Sequence, residues 1–416
     1  MNILWISFYG SWTLPLLHEI SSNNTVGVII PHIGGKKNLK EEKEGITFYS
    51  VAFSKQECYR LMTLSTFIKY KQIIDEFKPD IIHVHGTEKN LAQIQNYISD
   101  IPIVISIQGL LSGCIQYTSN YLKEKDTTKF KTIKNLLGWG GIDLMKKSCL
   151  NGIKYESNIL KKGQYFIGRT NWDKAHVSFH NPSAHYYHGE ELLRPEFYEQ
   201  AASWDIQKCK RHSVFMPSGF NPIKGLHLAI ESVHLLKKYF PDIHLFVPGL
   251  FANNAERKKM NSWIWGEEYI RYCNYLIKKY NLKGNISFLP RLKALDMVKQ
   301  MQQANVFLSP SSIDNSPNAV GEATMIGIPI VITPVGGVPS FMTNEETALF
   351  APAGDAYTMA FQIKRILDND KLAVHLGCKG HQLALSRHNI KETTNQYLKI
   401  YQTIISNRIK LSRNNH

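Results

Sequence analysis

Short apolar, β-branched runs, each followed by a helical pattern, recur along almost the whole chain, and this alternation limits the fold more than any other feature. NILWISF (2–8), TVGVIIP (25–31), DIIHVHG (80–86) and IPIVISIQG (101–109) are nearly continuous in apolar character. Strands of a parallel sheet covered on both faces look this way. A second series runs SVFMPS (213–218), HLFVPG (244–249), NISFLPR (285–291), NVFLSPS (305–311), GIPIVITP (327–334) and TALFAP (347–352). Helices are predicted at 59–77, 224–239, 267–280, 294–304, 355–369 and 386–406. Repeated β-α units imply two doubly wound, Rossmann-like α/β domains whose strand C-termini line a central cleft. EQAASWDIQKCKRHS breaks the pattern near 200–212. The expected division is therefore 1–205, 206–385 and 386–416, the last a helix crossing back to the first domain with a basic tail.

Composition narrows the class. Of 416 residues, 43% are hydrophobic and 20% charged, which excludes wholesale disorder. No apolar run approaches the ~20 residues that span a bilayer. MNILWISFYG lacks a basic n-region and a cleavage site, so it reads as a first strand rather than a signal peptide. The six cysteines show no CxxC or CxH spacing, which speaks against disulfides or zinc and for solitary buried thiols in a reducing cytosol. Net charge is 49 − 34 = +15, with lysines concentrated at 36–43, 122–147 and 207–210. These are solvated faces, or they attract anionic ligands or an anionic membrane surface. Zinc-finger and RNP-like motifs are absent, so nucleic acid is not an expected partner. The expected location is cytoplasmic, peripheral on the inner face of the membrane.

The richest stretch is SPSSIDNSPNAVGEATMIGIPIVITPVGGVP (309–339). A strand ends at Pro310, a polar loop follows, and a helix starts at Pro317–Asn318. Pro at the first turn, with Asn and Ser ahead of it, is helix-start chemistry. The free N–H groups and positive dipole end over Ser316, Pro317, Asn318, Ala319 and Val320 suit a diphosphate. Asp314 in the loop and Glu322 in the helix, eight residues apart, can lie along one ligand and accept hydrogen bonds from its hydroxyls. A capped surface helix with an incidental acidic pair would look the same.

This segment resembles the E-x7-E block of retaining glycosyltransferases of the GT-B fold, family-4 type, with Asp314 where relatives carry the first Glu. SGFNPIKGL (218–226) looks like the family's strand-to-helix loop. The resemblance implies a phosphate-binding Lys224, with Ser218 and Gly219 offering backbone amides where many relatives have an arginine at 219. FIGRTNWDKAH and YYHGEELLRPEFY (166–198) resemble a signature of one branch of the family. Their Arg169, Asp173, Glu191 and Arg194, set among aromatics, read as structural charge pairs. HGTE puts His85 and Glu88 at a first-domain strand end on the acceptor side, with Gln108 where many relatives have histidine. Gly10, in a first loop without the family's Gly-Gly turn, and Arg291 beside the nucleotide base complete the set.

The resemblance implies transfer of a hexose-type sugar from a nucleotide-diphosphate donor to a glycan or lipid-linked acceptor, with retention, in cell-surface polysaccharide biosynthesis. Asp314, Lys224 and His85 would be catalytic, with no metal and no cofactor beyond the donor. Two readings stay beside it: a catalytically inactive partner subunit, and a nucleotide-sugar epimerase on the same architecture.

Overall fold

The computed structural model describes residues 1–8, 13–35, 38–54, 57, 61–249, 256, 259, 262–264 and 266–414, with side chains to 409. Gly10, Lys36, Lys37 and the start of the helix expected at 59–77 lie outside the described residues. The chain forms two compact units, each discontinuous in sequence. Unit 1 comprises 1–113, 149–192 and 388–416, and unit 2 comprises 114–148 and 193–387.

Unit 1 is built on an eight-stranded sheet of order β3-β4-β2-β1-β5-β6-β7-β8. Its strands are β1 (Asn2–Ile6), β2 (Thr25–Ile33), β3 (Leu39–Lys43), β4 (Ile46–Phe53), β5 (Ile81–His85), β6 (Ile103–Ser106), β7 (Tyr165–Gly168) and β8 (His185–His188). All neighbours are parallel except the β3–β4 hairpin. Alternate β1 side chains enter different cores: Leu4 and Ile6 pack with Phe67, Tyr70 and Ile74 of α2 (Leu64–Phe77). Ile3 and Trp5 pack with Leu16, Leu17 and Ile20 of α1 (Leu14–Ser21) and with Tyr397, Ile400, Tyr401 and Ile404 of the C-terminal helix, Ile390–Asn414. Burial on both faces is why β1 reads as an unbroken apolar run.

Unit 2 carries an all-parallel six-stranded sheet of order β11-β10-β9-β12-β13-β14. Its strands are β9 (Ser213–Phe215), β10 (His244–Pro248), β11 (Ile286–Leu289), β12 (Val306–Ser309), β13 (Ile330–Ile332) and β14 (Leu349–Phe350). This is the 3-2-1-4-5-6 order of a dinucleotide-binding sheet. Helices α3 (Leu226–Leu236), α4 (Glu268–Lys279), α5 (Ala294–Gln303), α6 (Asn318–Ile326), α7 (Ala356–Asp368) and α8 (Asp370–Arg387) cover it. Val214 and Met216 enter one core and Phe215 the other.

Several expectations need correction. A linear boundary at 205 does not describe the units, because 114–148 and 193–205 belong to unit 2. Leu122 and Phe130 pack on the unit 2 core, a choice of partner that local pattern cannot reveal. The final helix expected at 386–406 is the helix Ile390–Asn414; residues 386 and 387 instead end α8, a helix the sequence reading did not place. Of the described cysteines, Cys209 and Cys273 are buried, Cys114 and Cys149 half-buried and Cys378 exposed, and no disulfide joins any two of them.

Candidate functional site

In unit 2 the strand order reverses between β9 and β12, and the loops leaving these two strands are 216–225 and 310–317. Open α/β sheets bind ligands at such a reversal, outside the strand C-termini. A cavity of about 270 Å³ lies there, lined by Arg194, Ser218, Lys224, Asp314, the start of α6 and Glu322.

Each loop is fixed by its own chemistry. Asn221 accepts a hydrogen bond from the Ile223 N–H at 3.0 Å, and Asn120 Nδ2 donates to the Pro222 carbonyl at 2.9 Å. Gly225 has φ +78°, and a Cβ there would sit 2.2 Å from the Pro310 carbonyl oxygen. The residue after Lys224 must therefore be glycine. In the second loop the Gly337 N–H donates to the Asp314 carbonyl at 2.9 Å. Gly336, at φ +55°, leaves no room for a Cβ, which would lie 2.2 Å from the same oxygen. The Gly-Gly pair of GGVP thus holds Asp314 in place from the far side of β13.

Lys224 Nζ and Asp314 Oδ2 are 2.6 Å apart. α6 begins after Pro317, which has no side chain to cap the first turn. Ser316 Oγ accepts from Arg387 Nη2 at 2.9 Å, and that guanidinium lies 3.8 Å over the Phe341 ring. The helix start, its positive dipole end and the Lys224 ammonium converge on one cavity, an arrangement that favours a polyanion.

Glu322 is 6% exposed and held by a fork from Arg194, Nε to Oε1 at 2.6 Å and Nη2 to Oε2 at 2.9 Å. Burial pushes the Glu322 carboxyl up and Arg194 pulls it back. A carboxylate has about four lone-pair sites, so two remain for a ligand's hydroxyls. The Arg194 guanidinium in turn lies 4.9 Å over the buried Phe197 ring.

In unit 1 the reversal falls between β1 and β5. A cavity of about 280 Å³ there is lined by Ser7, Phe8, His85, Glu88, Lys89 and Gln108, among others. His83 and His85 do project to one side of β5, their ring centroids 4.0 Å apart, and the Trp5 ring lies 4.2 Å from His85. His83 is the satisfied core residue, bonded to Tyr401 Oη at 2.7 Å and Ser106 Oγ at 2.6 Å. His85 keeps some surface, but its Nε2 is buried and has no hydrogen-bond partner among the described residues. Burial pushes the His85 ring down to about 3, so it is a neutral imidazole at physiological pH. Glu88, also partly exposed, has its carboxyl withdrawn from solvent and pushed up to about 7. Gln108 Nε2 donates to Glu191 Oε1 at 2.6 Å, and Arg169 Nη1 pairs with Glu191 Oε2 at 2.9 Å. The charges read from sequence as structural are therefore paired: Arg169 with Glu191, Arg194 with Glu322, and Asp173 in the capping box of Asn171–His180.

The structure thus brings Ser218, Lys224, Asp314, Pro317–Val320 and Glu322 to one cavity, and His85, Glu88 and Gln108 to another. Gly219 is buried and Ser316 is turned to Arg387, and neither lines the first cavity. Arg291 is exposed after β11 and is not brought to the site. The link sequence reasoning missed is Arg194 to Glu322, 128 residues apart. The aromatic company of Arg194 signalled a pair without naming the partner.

Two family profiles match the chain. A family profile described as "Glycosyl transferases group 1" matches residues 201–382, and one described as "Glycosyl transferase 4-like" matches 3–123. The chain is 30% identical over 159 residues to the putative colanic acid biosynthesis glycosyltransferase WcaL of Escherichia coli, covering 36% of this chain and 35% of that protein. It spans about half the length, or less, of the curated relatives it matches first. Among solved structures it resembles sucrose-phosphate synthase from Thermosynechococcus elongatus, with TM-score 0.69 and 15% identity, covering 97% of this chain and 99% of that one. It also resembles Anabaena Alr3699/HepE in complex with UDP, with TM-score 0.65 and 13% identity, covering 97% of this chain and 100% of that one. At such identities the likeness establishes a shared GT-B fold.

Proposed function

We propose that this chain, which belongs to the group 1 glycosyl transferases of the GT-B fold, moves a hexose-type sugar from a nucleotide-diphosphate donor to a glycan or lipid-linked acceptor, in cell-surface polysaccharide biosynthesis. The observation that carries the reading is the Lys224 ammonium on the same cavity as the start of α6, with Asp314 and Glu322 beside them. HepE, of the same fold, binds UDP.

Breaking a glycosyl–phosphate bond develops negative charge on the departing diphosphate and positive character on the sugar. Lys224 and the N–H groups of α6 would stabilise the first. The diphosphate would compete with Asp314 for Lys224, leaving Asp314 to hold the sugar's hydroxyls while Glu322 accepts from the ribose diol. The Arg194 fork favours the ionised form of Glu322 against the burial that opposes it. Retention follows if the acceptor hydroxyl enters on the face the phosphate leaves and gives its proton to that phosphate. Such a scheme needs neither a protein base nor a metal, and it tolerates Gln108 and a neutral His85. On the acceptor side we assign His85, Glu88 and Gln108.

The test is proton NMR of the product formed from an α-linked nucleotide-sugar donor. An α-glycoside supports retention, and a β-glycoside overturns it. Donor binding without hydrolysis or transfer, across glycan and lipid-linked acceptors, would favour the inactive-subunit reading. Epimerised donor recovered without acceptor would favour the epimerase.

A further inference from the structure

We infer that the corner of unit 2 built from residues 132–147, 263–264 and 266–269 is a docking surface for an anionic lipid bilayer. The inference stands apart from the transferase reading, since it uses no residue of the donor cavity. Six large apolar side chains protrude here: Leu136, Leu137, Trp139, Leu144, Trp263 and Ile264, between 40% and 73% exposed. They come from separate stretches that are knitted together. The Ile133 N–H donates to the Trp263 carbonyl at 3.2 Å, Lys134 N–H to the Ile264 carbonyl at 3.0 Å, and Thr132 Oγ1 to the Gly266 carbonyl at 3.1 Å. Thr132 and Asn135 close a full capping box on the short helix that carries Leu136. The protruding side chains are thus presented by an ordered scaffold. Trp139 and Leu144 also line an apolar cavity of about 440 Å³ with Met145, Phe220 and Tyr269, which deepens the same surface.

The charge around these side chains selects the partner. Lys123, Lys125, Lys146 and Lys147 are exposed and, among the described residues, make no ion pair. Lys147 stands three residues from Leu144 on one helix, hence on the same face. Of the nearby acids, Asp143 is paired with Lys131 and Glu267 with Lys134, while Glu268 is buried and accepts from the Ile142 N–H. Exposed tryptophan and leucine with the unpaired Lys146 and Lys147 beside them fit the interface of an anionic membrane, where indoles sit at headgroup level and each lysine adds attraction. A second copy of the chain fits poorly, because a two-fold contact would set these lysines against themselves. The lysines of 122–147 therefore act from unit 2, and not from the first domain as a linear reading of the chain places them.

The experiment is co-sedimentation of the full chain with phosphatidylcholine vesicles, with and without phosphatidylglycerol. It compares wild type with Trp139→Ser/Trp263→Ser, with Lys146→Glu/Lys147→Glu, and with a charge-matched control, Lys238→Glu/Lys371→Glu, on exposed lysines elsewhere in unit 2. Wild type is expected to bind the phosphatidylglycerol vesicles. Either patch pair should weaken binding by about tenfold or more, and the control pair far less. Should the tryptophan pair lose its thermal transition, the fully surface-borne lysine pair still decides. No binding to phosphatidylglycerol vesicles, or equal losses in the patch and control lysine pairs, would overturn the proposal. So would sedimentation velocity showing a dimer that the tryptophan pair dissolves.

Discussion

Glu322 sits almost out of reach of water, and the Arg194 fork is what makes an ionised carboxylate tolerable there. Removing one partner of a buried pair costs far more than the pair contributes, because the other charge stays behind. Arg194→Ala should therefore destabilise unit 2 by about 3–5 kcal/mol in urea unfolding. Arg194→Lys should recover only part of this, since an ammonium cannot reproduce the two-pronged geometry. Glu88 makes the opposite case, a carboxyl withdrawn from solvent with no ion-pair partner among the described residues and a folded value of about 7 against an ordinary 4.5. A carboxyl raised in the folded state contributes stability that is fully present below about 4.5 and lost as the pH rises through about 7. Between those limits wild type should lose on the order of 3 kcal/mol relative to Glu88→Gln, which cannot titrate. Parallel urea titrations of the two proteins across that range check this; equal slopes would remove Glu88 from the account.

At the scale of elements, the loops that carry the site depend on backbone as much as on side chains. Gly225→Ala pushes a Cβ into the Pro310 carbonyl at a positive φ, so the Lys224 loop must move. About 1–3 kcal/mol of stability should be lost, together with nucleotide affinity. The C-terminal helix supplies a different kind of dependence. Tyr401 is fully buried on the unit 1 sheet and bonded to His83, so Tyr401→Ala should cost about 3 kcal/mol or more in denaturant unfolding. What was legible in the sequence follows from the same physics. Strands buried on both faces announced themselves as apolar runs, and the helix-start residues of the D-x7-E segment line the unit 2 cavity. β3, LKEEK, is wholly exposed at a sheet edge and carries no apolar period to read. β8, HYYH, and β7, YFIG, are too short and aromatic to separate from loop. The Arg194–Glu322 and Gln108–Glu191–Arg169 networks depend on which distant segments meet, and no local spacing records that.

On the scale of the whole molecule, each unit places a cavity where its strand order reverses, one lined by cations and a helix start, the other by His85, Glu88 and Gln108. Such a division suits a donor bound by its phosphates in unit 2. Because Lys224 and α6 are assigned the charge on the diphosphate, transfer should be unaffected by EDTA; activity that falls with EDTA and returns with a divalent cation would assign that task to a metal. The central claim, that the unit 2 cavity binds a nucleotide diphosphate, is tested most directly by thermal unfolding of wild type and Lys224→Ala with UDP, GDP and ADP in turn. At about a hundred times its dissociation constant a ligand stabilises by ~2.7 kcal/mol, enough to raise the midpoint visibly. The account predicts that one nucleotide does so and that Lys224→Ala abolishes the rise. No rise with any of the three, or a rise that Lys224→Ala leaves unchanged, would contradict it.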